Sequence, residues 1–180
     1  MKERLPTVFV VDDDEGVRSS LRLLLKSVGI AAQTAASAPD FLASYEADQP
    51  GCLVLDVRMP GMSGLELQEQ LNVRGAMIPV IFITGHGDIP MAVEAMQQGA
   101  FDFLQKPFRD QDLLDRVQKA LEKDAANREQ LKQRDDIRKR YESLTKSWRG
   151  ISGSASARLR FTARASWRRW PPARSHSSCV

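Results

Sequence analysis

The sequence predicts an α/β fold, a doubly wound parallel sheet of five strands with helices on both faces. Three observations predict it. Five short apolar runs alternate with five helical stretches along the first two thirds of the 180 residues. The clearest runs are apolar throughout, as strands covered on both faces must be. Turn residues or acids follow each run, so every strand is short and returns through a crossover, which in a parallel sheet is right-handed.

Taken in order, residues 7–11 are β-branched and apolar and form the first strand. Val17, Leu21, Leu24, Leu25 and Val28 then recur at helical spacing, and Gly29 stops the helix. Residues 30–35 are a weaker strand. Ser37 with Asp40 three residues on opens a helix through about Glu46. Residues 52–55 form a buried strand ended by Asp56. The turn RMPGMSG leads to a helix over 65–71. Residues 79–83 form a further strand ended by Thr84. Pro90 suits the first turn of a helix to Gln98, and Gly99 stops it. Residues 101–104 are the last strand, running into Lys106-Pro107, and a helix begins near Asp110.

Composition narrows the function classes. No apolar run approaches the roughly 18 residues that span a membrane, and acids end the only N-terminal apolar run. The chain reads as soluble and cytoplasmic. Two cysteines, Cys52 and Cys179, make no disulfide framework. The net charge of +3 hides an asymmetry: residues 1–148 carry −4, whereas residues 149–180 hold seven arginines and no acid.

The chemistry gathers where strands end. Ligands of an open parallel sheet bind outside the carboxyl ends of its strands. Here those ends carry Asp12-Asp13-Asp14, Asp56, Thr84 and Lys106. Acids brought to one edge are tolerable if they share a cation. Hard oxygen ligands in an open site favour Mg²⁺. Asp56 can then act as nucleophile and carry a phosphoryl group, with the hydroxyl and ammonium offsetting charge on its oxygens.

The motifs VVDDDE, LVLDVRMPGMSG, FITGHGD and FLQKPF, in this order, resemble the receiver domain of bacterial two-component response regulators over residues 7–122. ITGHGDIPMAVEAM with GAFDFLQKPF resembles the FixJ-type subgroup. The resemblance implies a flavodoxin-like sheet of order 2-1-3-4-5. It implies Asp13 as direct Mg²⁺ ligand, Asp12 acting through water, Asp56 as phosphoacceptor and the main-chain carbonyl of Arg58 completing the metal shell. Thr84 would hydrogen-bond the phosphoryl group, Lys106 would pair with it, and Phe103 would be the aromatic switch. The Lys106-Pro107 bond would be cis. A sensor histidine kinase would donate the phosphoryl group, and phosphorylation would favour a homodimer.

Plainer readings hold for several residues. Asp14 and Glu15 are helix-start charges. His86 is a loop residue, and Met91 and Met96 are packing residues. Pro60, Gly61 and Gly64 serve the turn beside Asp56. No nucleotide-binding glycine motif occurs. One rival is a Mg²⁺-dependent phosphohydrolase with an Asp nucleophile, although Arg58 stands where such enzymes place a second acid. Another is a basic protein that binds nucleic acid through its tail.

Residues 123–145 read as an exposed helical linker. Asp124/Arg128, Asp135/Lys139 and Asp136/Arg140 are acid-first pairs one turn apart, and the apolar positions Leu131, Ile137, Tyr141 and Leu144 are sparse. RYESLT resembles the lead-in to the helix-turn-helix output domain of FixJ-type regulators, and there the likeness stops. Residues 146–180 are rich in Arg, Ser and Ala, hold Trp148, Trp167 and Trp170, and show no amphipathic period. A shifted reading frame explains this mixture, as does a segment that binds nucleic acid through arginine and tryptophan; the first is favoured. Either way the composition predicts disorder, and DNA binding, expected of the full-length family, is doubtful for this chain.

Overall fold

A computed structural model describes residues 4–85 and 89–152. Five strands, β1 (Thr7–Val11), β2 (Ala31–Ala35), β3 (Gly51–Asp56), β4 (Val80–Thr84) and β5 (Asp102–Gln105), alternate with α1 (Glu15–Ser27), α2 (Ala38–Ser44), α3 (Gly64–Val73), α4 (Ile89–Gln97) and α5 (Asp110–Ser152). All strand pairs are parallel and the order is β2-β1-β3-β4-β5, the predicted topology.

The period of two along each strand builds two cores. Phe9, Val11, Leu53, Leu55 and Phe82 point to one face, against Phe41 of α2, Leu67 and Leu71 of α3 and Ala95 of α4. Val8, Val10, Cys52, Val54, Ile81, Ile83 and Leu104 point to the other, against Leu21 and Leu25 of α1 and Leu113, Val117 and Ala120 of α5. Each fully buried Leu, Ile or Phe contributes roughly 1.5–3 kcal/mol. β2 is the partly exposed edge strand, which explains its weak apolar signal.

Helix starts follow the expected chemistry. Asp14 caps α1 by accepting from the amides of Gly16 and Val17, the helix-start role read from the sequence. Ser37 caps α2 through the Asp40 amide. Ser63 and Glu66 form a reciprocal capping box at α3, a signal present in the sequence as S-G-L-E.

α5 is longer than composition suggests. Residues 146–152, assigned above to a disordered tail, are helical. A helix already nucleated extends at little cost, so a weak continuation can follow a strong start. The chain divides near Ile137 into two units. In the first, the buried stripe of α5 runs Leu113, Val117, Ala120, Asp124. In the second, Tyr141 and Leu144 are exposed and Arg138 pairs with Glu142. His86, Trp167, Trp170 and Cys179, and the readings attached to them, lie outside the described residues, as do residues 153–180. Among the described residues, no helix is long and apolar enough to cross a membrane.

Candidate functional site

The sheet register assembles the acids. β1 and β3 are neighbours with Val11 opposite Leu55, so the next residues, Asp12 and Asp56, end adjacent strands about one strand spacing, about 4.8 Å, apart. Asp13 follows directly. One carboxylate oxygen from each of Asp12, Asp13 and Asp56 lies within 4.8 Å of the others. Asp12 is 1% exposed, Asp56 is half-buried and Asp13 is exposed.

Lys106 arrives from the far side. It follows β5, two strands and about 10 Å from β3, a gap a lysine side chain helps to cross. Its Nζ donates to Asp12 Oδ2 at 2.9 Å and to Asp56 Oδ2 at 3.3 Å. The peptide bond after Lys106, to Pro107, is cis, as the resemblance implies. Thr84 ends β4 between them. It is buried, its carbonyl accepts the Lys106 amide at 2.7 Å, and among the described residues its hydroxyl joins none of the hydrogen bonds around the acids. Phe103 lies on β5 with 41% of its surface exposed, while its neighbour Leu104 is buried. Every predicted site residue therefore sits at or beside one edge of the sheet, with Phe103 on the outer side of β5.

The electrostatics follow from burial and like charge. Burial pushes the Asp56 carboxyl above its ordinary value; Lys106 pulls it down and the Asp12 charge pushes it up again. Burial acts to lower Lys106, but its bonds and attraction to Asp12 and Asp56 outweigh that, and its ammonium is held above the usual range. The pair thus leaves both members raised. Burial is the main cause at Asp56, and the bonds and attraction to two acids are the cause at Lys106.

The donor set fits a small hard cation. Two oxygens held by one Mg²⁺ at about 2.1 Å lie about 3–4.2 Å apart, close to the separation found here. Asp13 and Asp56 each have an oxygen free of Lys106, and Asp12 Oδ1 accepts the Asp14 amide at 2.8 Å. Arg58 donates its amide to Asp56 Oδ1 at 3.4 Å, which brings its backbone alongside the cluster.

One contributor escapes sequence reasoning, and another has a role beyond the one read. Arg18 Nη1 donates to the Asp12 carbonyl at 2.7 Å, fixing the backbone under the acids; its place one turn into α1 was the available signal. Gly64 is required by close approach and not by the turn alone. A Cβ there would stand 2.3 Å from the Asp56 carbonyl oxygen and 3.0 Å from Phe82 Cε1.

A parallel sheet of this order, with three aspartates and a lysine gathered at its carboxyl edge, defines a receiver domain. Comparison with known proteins agrees: the family described as response regulator receiver domain matches residues 8–118. The chain is 44% identical to the response regulator TodT of Pseudomonas putida over 146 residues, 81% of this chain and 64% of TodT. It is 48% identical to the transcriptional regulatory protein FixJ of Azorhizobium caulinodans over 151 residues, 84% of this chain and 71% of FixJ. Among solved structures, the response regulator StyR superposes with TM-score 0.75 at 51% identity, covering 78% of this chain and 71% of StyR. The chain belongs to the response regulator receiver family, and within it to the FixJ type. It spans just under two thirds of the length of TodT. The phosphohydrolase and nucleic-acid-binding readings gain no support from these likenesses.

Proposed function

We propose that this chain is a phosphorylation-controlled switch that accepts one phosphoryl group on Asp56 from a sensor histidine kinase. The observation that carries this reading is the convergence of Asp12, Asp13 and Asp56 within 4.8 Å with Lys106 bonded to two of them. In the transfer, an Asp56 carboxylate oxygen attacks phosphorus, the bond from phosphorus to the histidine nitrogen breaks, and the electron pair returns to the imidazole. An acyl phosphate forms on Asp56. Mg²⁺ would be held by Asp13, Asp56 and the Arg58 carbonyl, with Asp12 acting through water, and when bound it neutralises charge on the transferring oxygens. Lys106 then exchanges its bond to Asp56 for one to the phosphoryl oxygens, and the Thr84 hydroxyl turns to the same group.

The added charge of roughly −1.5 to −2 biases a pre-existing equilibrium. Movement of Thr84 toward the phosphoryl group opens space beside β4 that Phe103 fills. α4 packs beside β5, and Val93, Met96 and Phe103 are exposed on these elements, so Met96, read from sequence as a packing residue, instead faces outward at 41% exposure. That apolar face supports a phosphorylation-dependent homodimer. Regulation of transcription is a role of the full-length relatives; residues 146–180 do not carry their output pattern.

The test is intact mass before and after treatment with acetyl phosphate and Mg²⁺. Wild type gains the mass of one labile phosphoryl group and Asp56→Asn gains none. Equal incorporation by both proteins rejects Asp56 as acceptor.

A further inference from the structure

A second acid is buried at the opposite edge of the sheet, far along the chain from the residues just described. Asp124 lies in α5, on the stripe that begins with Leu113, Val117 and Ala120, and is 1% exposed. Its Oδ2 accepts the amide of Gly51, the first residue of β3, at 2.9 Å, and Nε of Arg128 at 2.7 Å. The Arg128 guanidinium is used on all sides. Nη1 donates to the Asp48 carbonyl at 3.0 Å and Nη2 to the Gln49 carbonyl at 2.7 Å. These two carbonyls belong to the segment joining α2 to β3.

Other bonds converge on that segment. Gln49 Nε2 donates to Thr7 Oγ1 at 3.1 Å, Gln49 N–H donates to the Glu46 carbonyl, and Arg4 pairs with Glu46. The approach of Gly51 to β1 is close: a Cβ would stand 1.9 Å from the Thr7 carbonyl oxygen. Tyr45, stacked on Phe41 and edge-on to Phe9, completes the wall. Burial raises its hydroxyl pKa, Arg128 lowers it and Asp124 raises it, so the three side chains share one electrostatic environment.

A surface i,i+4 pair of this kind contributes only about 0.3–0.5 kcal/mol. This one differs, because the carboxylate is desolvated and both partners bond to backbone far away in sequence. Removing one member of such an arrangement leaves a buried charge or buried carbonyls without partners.

We propose that Asp124 and Arg128 form a clasp that locks α5 to the α2–β3 segment, so that the receiver's cooperative unit extends at least to Arg128. The boundary at residue 122 drawn from sequence cuts this unit. The clasp stands on its own geometry and does not depend on Asp56 being the phosphoacceptor. Its function is mechanical: the stretch of α5 around Arg128 is attached to the floor of the sheet through two side chains.

Amide hydrogen exchange on the full chain tests this, with wild type, Arg128→Ala, Asp124→Asn and the double variant. Arg128→Ala keeps the core intact and is expected to fold. Its exchange should accelerate about tenfold or more over residues 121–137 and 46–51, the amount expected for loss of charged hydrogen bonds, with β4 and β5 unchanged. Asp124→Asn retains an acceptor for Gly51 and should loosen 125–137 more than the start of β3. The double variant should loosen little further than Arg128→Ala, since the two residues act as one unit. Acceleration under twofold in 121–137, uniform acceleration throughout the chain, or full additivity of the two single changes each overturns the clasp.

Discussion

Asp13→Asn separates the electrostatic cost of the acid cluster from its use. Three carboxylate oxygens lie within 4.8 Å of one another, and one ammonium serves two of the acids. At that separation a like-charge pair costs about 3.5 kcal/mol at an effective dielectric constant of about 20. Asp13 is exposed, so water and salt reduce its share to about 1 kcal/mol. Asp13 makes no bond to Lys106, so the substitution removes repulsion without removing an ion pair. In EDTA and low salt, Asp13→Asn should therefore be more stable than wild type by about 0.5–1 kcal/mol, a melting shift of about 2–4 °C for a unit of this size. Addition of Mg²⁺ reverses the order. Wild type gains about 1.4 kcal/mol when Mg²⁺ reaches ten times its dissociation constant, whereas the variant, lacking a charged ligand, gains little. Differential scanning calorimetry in EDTA, in Mg²⁺ and in NaCl of matched ionic strength reads all three effects. A variant that keeps the full Mg²⁺-dependent shift would refute the placement of Asp13 in the metal shell. A wild type indifferent to Mg²⁺ would remove the cation from the site altogether.

Two further outcomes follow from the geometry. Gly64→Ala forces a Cβ against the Asp56 carbonyl, 2.3 Å away, which backbone cannot yield to; the cost should be about 1–3 kcal/mol, seen in thermal unfolding, and a melting loss below about 1 °C would reject the close approach. Burial pushes the Cys52 thiol up to about 12, so folded protein at pH 8.5 should resist iodoacetamide at this residue and label only in urea, as peptide mass spectrometry reports. The unfolded chain releases that proton first, so stability falls as pH rises from the ordinary thiol value toward 12, by about 1.4 kcal/mol per unit; Cys52→Ala should lose this part of the pH dependence.

The site was legible because each of its polar residues ends an apolar run, and a parallel sheet of known order brings such ends together. Asp12 and Asp56 meet because β1 and β3 pair in register; only the order, supplied by resemblance, was missing from the pattern itself. Asp124 was not legible in the same way. As a string it looks the same as Asp135/Lys139 and Asp136/Arg140, an acid with a base one turn on. What sets it apart is its phase: it continues Leu113, Val117 and Ala120 at spacings of four, three and four, the period of a buried face. Charge type hid a position that periodicity marks as core. The weak reading of β2 has the opposite cause, since an edge strand that buries little needs little apolar pattern.

The two edges of the sheet explain why one acid cluster is a site and the other a fastening. At the amino edge, Asp124 meets one guanidinium and one amide, and that guanidinium's remaining donors are taken by two carbonyls. Its charge is matched by that guanidinium through Oδ2, while its buried Oδ1 has no partner among the described residues. At the carboxyl edge, three acids stand beside one ammonium that bonds two of them, and the surplus negative charge is held in place by strand register, by the Arg18 side-chain bond to the Asp12 carbonyl and by the Arg58 amide. Relaxing it would mean breaking the pairing of β1 with β3. The fold thus maintains an uncompensated charge that a divalent cation lowers in energy. Under the proposed phosphorylation of Asp56 the same charges would reorganise, because Lys106 cannot serve Asp12, Asp56 and a phosphoryl group equally. The proposed capacity to switch rests on that shortage of positive charge, and a second basic partner supplied to the cluster, as in Asp13→Lys, would be expected to fix the edge in one state.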